Sequence, residues 1–137
     1  MPVAKFYSSG CVLEAETIER FLDSASDIYA KILDCPKDRV RVYLIPMASE
    51  HVAIEGEIPG PPSFYFEFIV LEGRSLEQRQ QIARGFCELI GSAFSVDSRK
   101  VRGHCIRVNP EDWCIGGQFA SELRKSEIEA RKNQLKR

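Results

Sequence analysis

An internal repeat constrains this chain more than any other feature. Slid against itself by 61 positions, Val40-Arg41 falls on Val101-Arg102, Ile54 on Ile115 and Gly56 on Gly117. The apolar positions between them also register: Phe21 on Ile82, Ala25 on Phe86, Ile28 on Leu89, Tyr29 on Ile90, Ile32 on Ala93 and Leu33 on Phe94. No gap is needed, and the pattern runs over about 55 residues, which points to a duplicated supersecondary unit.

Each half reads as strand, helix, strand. Val3–Tyr7 and Phe64–Leu71 are rich in the aromatic and β-branched residues that favour strands, and Gly10 and Gly73 end them. Glu14–Leu33 and Ser75–Phe94 carry apolar residues at the helical period, and Ser75 with Gln78 fits a capping box. Val40–Ile45 and Val101–Val108 are the closing strands. A helical crossover of this length implies parallel pairing within each unit, with the usual right hand. The expected fold class is therefore α+β: a tandem β-α-β repeat giving a four-stranded mixed sheet with two helices on one face. The units span 2–57 and 63–118, joined by the linker 58–62, whose prolines extend neither a ladder nor a helix. The bare sheet face needs a cover, most simply other copies of the chain. The tail, 119–137, is charged and helix-prone; it reads as a solvated helix, with a partner-binding tail as the alternative.

Composition narrows the function. A formal net charge of −1 supplies no overall basic field for nucleic acid or an anionic membrane, though arginines can still cluster in a cleft. No apolar run reaches the ~18 residues of a membrane span, and no secretory signal is expected. The cysteines Cys11, Cys35, Cys87, Cys105 and Cys114 are scattered, without a paired motif, and read as reduced thiols of a cytoplasmic protein. With His51 and His104 the only histidines, no metal and no other cofactor is expected.

The chemistry-bearing residues lie in order along the chain. Met1-Pro2-Val3-Ala4 opens it. The second half holds Leu71-Glu72-Gly73-Arg74-Ser75, then Glu77-Gln78, Val101-Arg102 and Trp113-Cys114-Ile115-Gly116-Gly117. This set resembles 4-oxalocrotonate tautomerase, whose short subunit is similar to each half separately. The fused layout resembles the cis-3-chloroacrylic acid dehalogenase and malonate semialdehyde decarboxylase branches of the tautomerase superfamily. The resemblance implies the tautomerase (macrophage migration inhibitory factor-like) fold and a homotrimer.

Pro2 has a physical case of its own. Removal of Met1 leaves a secondary amine, and an ordinary α-amino group titrates near ~7.7–8.0. Burial near arginines lowers that value, because desolvation and like charge both disfavour the cation, and a neutral amine can act as general base. The resemblance implies that the amine moves a proton between the 2-hydroxyl and C-5 of a dienol or enol acid. Arg74, at a strand-to-helix turn, can bind a carboxylate bidentately; its plain alternative is a surface arginine paired with Glu77. By resemblance Arg74 binds the substrate carboxylate, and Arg102 contacts the other polar end from a different subunit. Arg41, the repeat partner of Arg102, could serve instead. His104 shares a strand face with Arg102 and is either a site residue or structural. Trp113 matches the family's pocket-closing aromatic, with core packing as its alternative.

The halves differ in an informative way. Leu13 stands at the first half's copy of Arg74, and Val52 at its copy of Trp113. Ser63 stands at the second half's copy of Pro2. One complete site per chain follows. Ile115 occupies the position of the dehalogenases' water-activating glutamate, and Leu71 that of a second arginine in the cis branch, so hydrolytic dehalogenation is disfavoured. The expected function is a tautomerase interconverting keto and enol forms of a small unsaturated carboxylic acid. The alternatives are a decarboxylase or hydratase/dehalogenase of a 3-carbon acid on the same fold, or a non-catalytic trimeric scaffold.

Overall fold

The computed structural model describes residues 2–135. Met1 and the last two residues of the predicted tail, 136–137, lie outside the described residues. The strands are β1 (Val3–Ser9), β2 (Arg41–Met47), β3 (Ser63–Leu71) and β4 (Arg102–Val108). They form one sheet in the order β2-β1-β3-β4. β1 and β2 are parallel, as are β3 and β4, while β1 and β3 run antiparallel at the centre. The helices α1 (Ala15–Leu33) and α2 (Leu76–Phe94) cross over between the strands of each parallel pair. The expected mixed sheet with two β-α-β units is the observed fold.

Strand alternation puts the core between sheet and helices. Ala4, Phe6 and Ser8 of β1 and Phe64, Phe66, Phe68 and Val70 of β3 point inward and are buried. Phe21, Ala25 and Tyr29 of α1 and Ile82, Phe86 and Ile90 of α2 meet them at four-residue spacing. The helices cross closely because residue 85 is glycine: a Cβ there would stand 3.0 Å from Ile28. The opposite sheet face carries Lys5, Tyr7, Tyr65 and Glu67, which are half-buried or exposed.

The repeat needs one correction. The helices and closing strands do keep the 61-residue offset, α1 on α2 and β2 on β4. The leading strands do not. Val3 pairs with Arg41 and Tyr65 pairs with Arg102, so β1 and β3 correspond at an offset of 62. The cause is the connection, five residues (10–14) before α1 against four (72–75) before α2. Because side chains alternate, a one-residue slip exchanges the faces. The second-half counterpart of Pro2 is therefore the buried Phe64, not Ser63.

The capping box forms as the sequence predicts. Gln78 N–H donates to Ser75 Oγ at 3.1 Å, and Ser75 N–H donates to Gln78 Oε1 at 3.2 Å. Ser75→Ala removes one arm and is expected to cost about 1 kcal/mol, read as a lower urea midpoint at fixed protein concentration.

The tail folds as a short α3 (Ala120–Leu123) and an α4 (Lys125–Leu135). Before it, β5 (Cys114–Ile115) and β6 (Gln118–Phe119) make a small hairpin. Its two-residue turn has positive φ at both Gly116 (60°) and Gly117 (89°), which glycine supplies without strain. No helix among the described residues is long and apolar enough to cross a membrane.

Candidate active site

The topology brings one end of β1 against the opposite end of β3. With Val3 opposite Ile69, Pro2 stands beside Val70 and Leu71, where β3 runs out toward α2. Two contacts fix this corner. The Pro2 carbonyl accepts from Arg41 N–H at 2.9 Å. The buried Tyr29 hydroxyl reaches the carbonyls of both Val3 and Ile69 from α1. Burial raises the Tyr29 pKa well above its ordinary value, so the hydroxyl remains a donor.

The carboxy-terminal end of α1 approaches the same corner. Its last carbonyls lack partners within the helix, and the β3–α2 connection and α2's first turn supply them. Arg74 Nη1 donates to Leu33 O at 2.7 Å, and Gln78 Nε2 donates to Ile32 O at 3.1 Å. A cation is also favoured at the negative end of a helix dipole. These contacts hold the Arg74 guanidinium over the start of β1.

The result is a cleft with two connected lobes. A narrow inner lobe of about 20 Å³ is lined by Pro2, Leu33, Cys35, Val70 and Leu71, with Arg39, Arg74, Glu127 and Arg131 around it. The last four, with Leu33 and Cys35, also line an outer cavity of about 630 Å³. Pro2 is buried; Arg74 and Arg131 are half-buried. Burial lowers the pKa of Arg74, and the like charge of Arg131 adds to it. Burial likewise lowers Arg131, though Glu127 opposes it. Both guanidiniums remain charged, because arginine does not deprotonate in proteins. Burial raises the Cys35 thiol, against the pull of Arg74 and Arg39. Among the described residues, no group of three or more His, Cys, Asp or Glu could hold a metal ion.

Of the six residues singled out from sequence, the structure brings Pro2 and Arg74 together. The other four do not line this cleft within one chain. Arg41 lies exposed on β2, and its counterpart Arg102 on β4 donates to the carbonyls of Arg99 and Val101. His104 is exposed on the bare sheet face, its Nδ1 3.0 Å from the Tyr65 hydroxyl. Trp113 is half-buried beside the hairpin, where its carbonyl accepts from Ala120 N–H at 3.0 Å.

Three cleft residues escaped sequence reasoning: Arg39, Glu127 and Arg131. The tail, expected to be a solvated helix, turns one face to the outer cavity through Glu127, Ala130, Arg131 and Gln134. Their spacing of three and four residues is one helical stripe, but a largely polar one, and helical periodicity in a sequence marks buried faces only where the stripe is apolar. Arg39 donates to both carboxylate oxygens of Glu127, at 3.0 and 3.1 Å. These hydrogen bonds hold the Glu127 carboxyl below the usual carboxylate range, with the charges of Arg124 and Arg131 adding to the effect. A depressed folded-state pKa gives a contribution present above the ordinary Glu value and lost as pH falls through the lowered one. Amide-exchange protection of α4 is accordingly expected to hold at neutral pH and to fall first, before the core, on acidification below about pH 4.

No family model matches the sequence, and no curated protein matches it significantly. Solved structures do match. A protein inactivated by 2-oxo-3-pentynoate superposes with a TM-score of 0.82 at 21% identity, covering 88% of this chain and 98% of that one. Native fused 4-OT gives 0.82 at 20% identity, covering 89% and 98%. Macrophage migration inhibitory factor of Toxoplasma gondii gives 0.74 at 14%, covering 85% and 98%. The chain has the fold of these proteins.

Proposed function

We propose that this chain is a cytoplasmic, cofactor-independent tautomerase interconverting the keto and enol forms of a small unsaturated carboxylic acid. The observation that carries the reading is that Pro2 and Arg74 line one lobe of one cleft. Freed of Met1, the Pro2 amine takes a proton from the enol hydroxyl and returns one to carbon. Arg74 holds the substrate carboxylate so that the reacting atoms face the amine. The cleft's guanidiniums and its apolar wall of Leu33, Val70 and Leu71 keep that amine neutral near pH 7.

The fused 4-OT proteins are trimers, in symmetric and asymmetric forms. We infer a homotrimer here too, with the bare sheet faces packed together. A neighbouring copy then brings Arg102, or Arg41 in its place, with His104 and Trp113, to the open side of the cleft. Each chain supplies one Pro2 amine, and Phe64 fills the matching place in the second half, so a trimer carries three sites.

Intact mass and a ketonisation assay test this. The mass is expected to lack Met1. Wild-type protein is expected to ketonise phenylenolpyruvate, with Pro2→Ala and Arg74→Ala both slower. Retention of Met1, or equal rates for all three proteins, leaves the non-catalytic scaffold as the better account.

A further inference from the structure

The carboxy-terminal helix does more than close the chain. α4 offers the core almost nothing apolar: Ile128, Ala130 and Leu135 are its only such residues among 125–135. A helix of this length is marginal by itself, so something polar must hold it. The Glu127–Arg39 pair does so, with two hydrogen bonds in parallel. Glu127 and Arg131 are one turn apart on the same face. Mooring the first therefore aims the second into the cleft, where Arg131 joins Arg74 in lining both lobes.

Among the described residues that line the outer cavity, the guanidiniums of Arg39, Arg74 and Arg131 meet the carboxylates of Asp34 and Glu127, and Glu127 is engaged by Arg39. Among the described residues neither Arg74 nor Arg131 forms an ion pair. Both lie half-buried in one cleft, with Arg131 lowering the proton affinity of Arg74 and Arg39 that of Arg131, so the two guanidiniums gain from an anion between them.

We propose that Arg131 is a second carboxylate-binding residue, which with Arg74 clasps one carboxylate of the substrate, and that α4 is the wall bringing it there. This rests on the proposed function for the identity of the substrate, but the anion site stands on its own geometry. A bound carboxylate ties α4 to the β3–α2 connection, so binding and docking of α4 reinforce each other.

The experiment pairs catalysis with equilibrium binding of trans-cinnamate, an unreactive monocarboxylate. Arg131→Gln is expected to raise both the KM for phenylenolpyruvate and the cinnamate Kd about tenfold, with kcat within about twofold, as befits a lost charge-assisted contact. Arg131→Lys recovers part of that loss. Lys132→Gln, one residue along but outside this cleft, leaves both constants unchanged. Cinnamate binding that weakens in Arg131→Gln without any ketonisation by wild type overturns the tautomerase reading and keeps this one. Unchanged KM and Kd in Arg131→Gln, or no cinnamate binding by wild type, overturns it.

Discussion

Pro2→Ala is expected to lower kcat/KM for phenylenolpyruvate ketonisation by about 10²-fold, the lower end of what a positioned acid–base group contributes. The lower end is expected because alanine still leaves an α-amine once Met1 is removed. What it loses is the pyrrolidine ring, which blocks rotation about the N–Cα bond and so aims the lone pair. At Pro2 that direction matters, because the residue is buried beside Val70 and Leu71 and its carbonyl is tied to Arg41 N–H. The amine has one way into the cleft, and an acyclic replacement spends part of its time turned away from it. The acidic limb of the wild-type kcat/KM profile should lie below the ~7.7–8.0 of an ordinary α-amino group, since burial and cationic neighbours favour the neutral form. A substrate-binding role alone for Pro2 would raise KM and leave kcat and that limb where they were. A kcat/KM within twofold of wild type removes the amine from the mechanism.

The parts of this molecule readable from sequence are those with a repeating physical signal. Apolar residues four apart mark α1 and α2, and the capping box at Ser75 marks where α2 begins. The leading strands were readable as strands but not in register. A single extra residue before α1 shifts β1 against β3 while leaving every helix position aligned. The pairing of Pro2 with Arg74 was within reach because the crossover topology dictates it: β1 begins where β3 ends. The tail's share of the cleft was out of reach for the opposite reason. Arg39 and Glu127 are 88 residues apart in the chain, and nothing in a charged helix announces which of its faces will find a partner. Arg41, Arg102, His104 and Trp113 lie outside the cleft of a single chain, where residues contributed across a subunit contact would have to lie.

Phe86→Ala is expected to destabilise the fold by about 3–5 kcal/mol, the upper range for a buried aromatic cut back to a methyl group. Phe86 is fully buried at the middle of α2. It meets Phe6 at 4.9 Å between ring centroids, and Tyr29, Phe66 and Phe68 each at 5.6 Å, all edge to face. Such pairs contribute beyond the area they bury, and four neighbours in place around one ring leave little freedom to collapse into the void. The neighbours come from α1, β1 and β3, so the ring joins both repeat units, and its loss loosens their junction as well as the helix that carries it. A loss of this size is a large part of the ~5–15 kcal/mol that holds a domain together. It should appear as a lower urea midpoint with an unchanged slope, compared at one protein concentration because association also stabilises the folded chain. Phe86→Leu, which keeps most of the volume, should cost under half as much. The cleft gives a second readout. α2 carries Ser75 and Gln78 at its start, and through them the position of Arg74, so cinnamate affinity should fall in Phe86→Ala even where the protein remains folded. A change in stability under about 1 kcal/mol would mean that the ring is not buried as described.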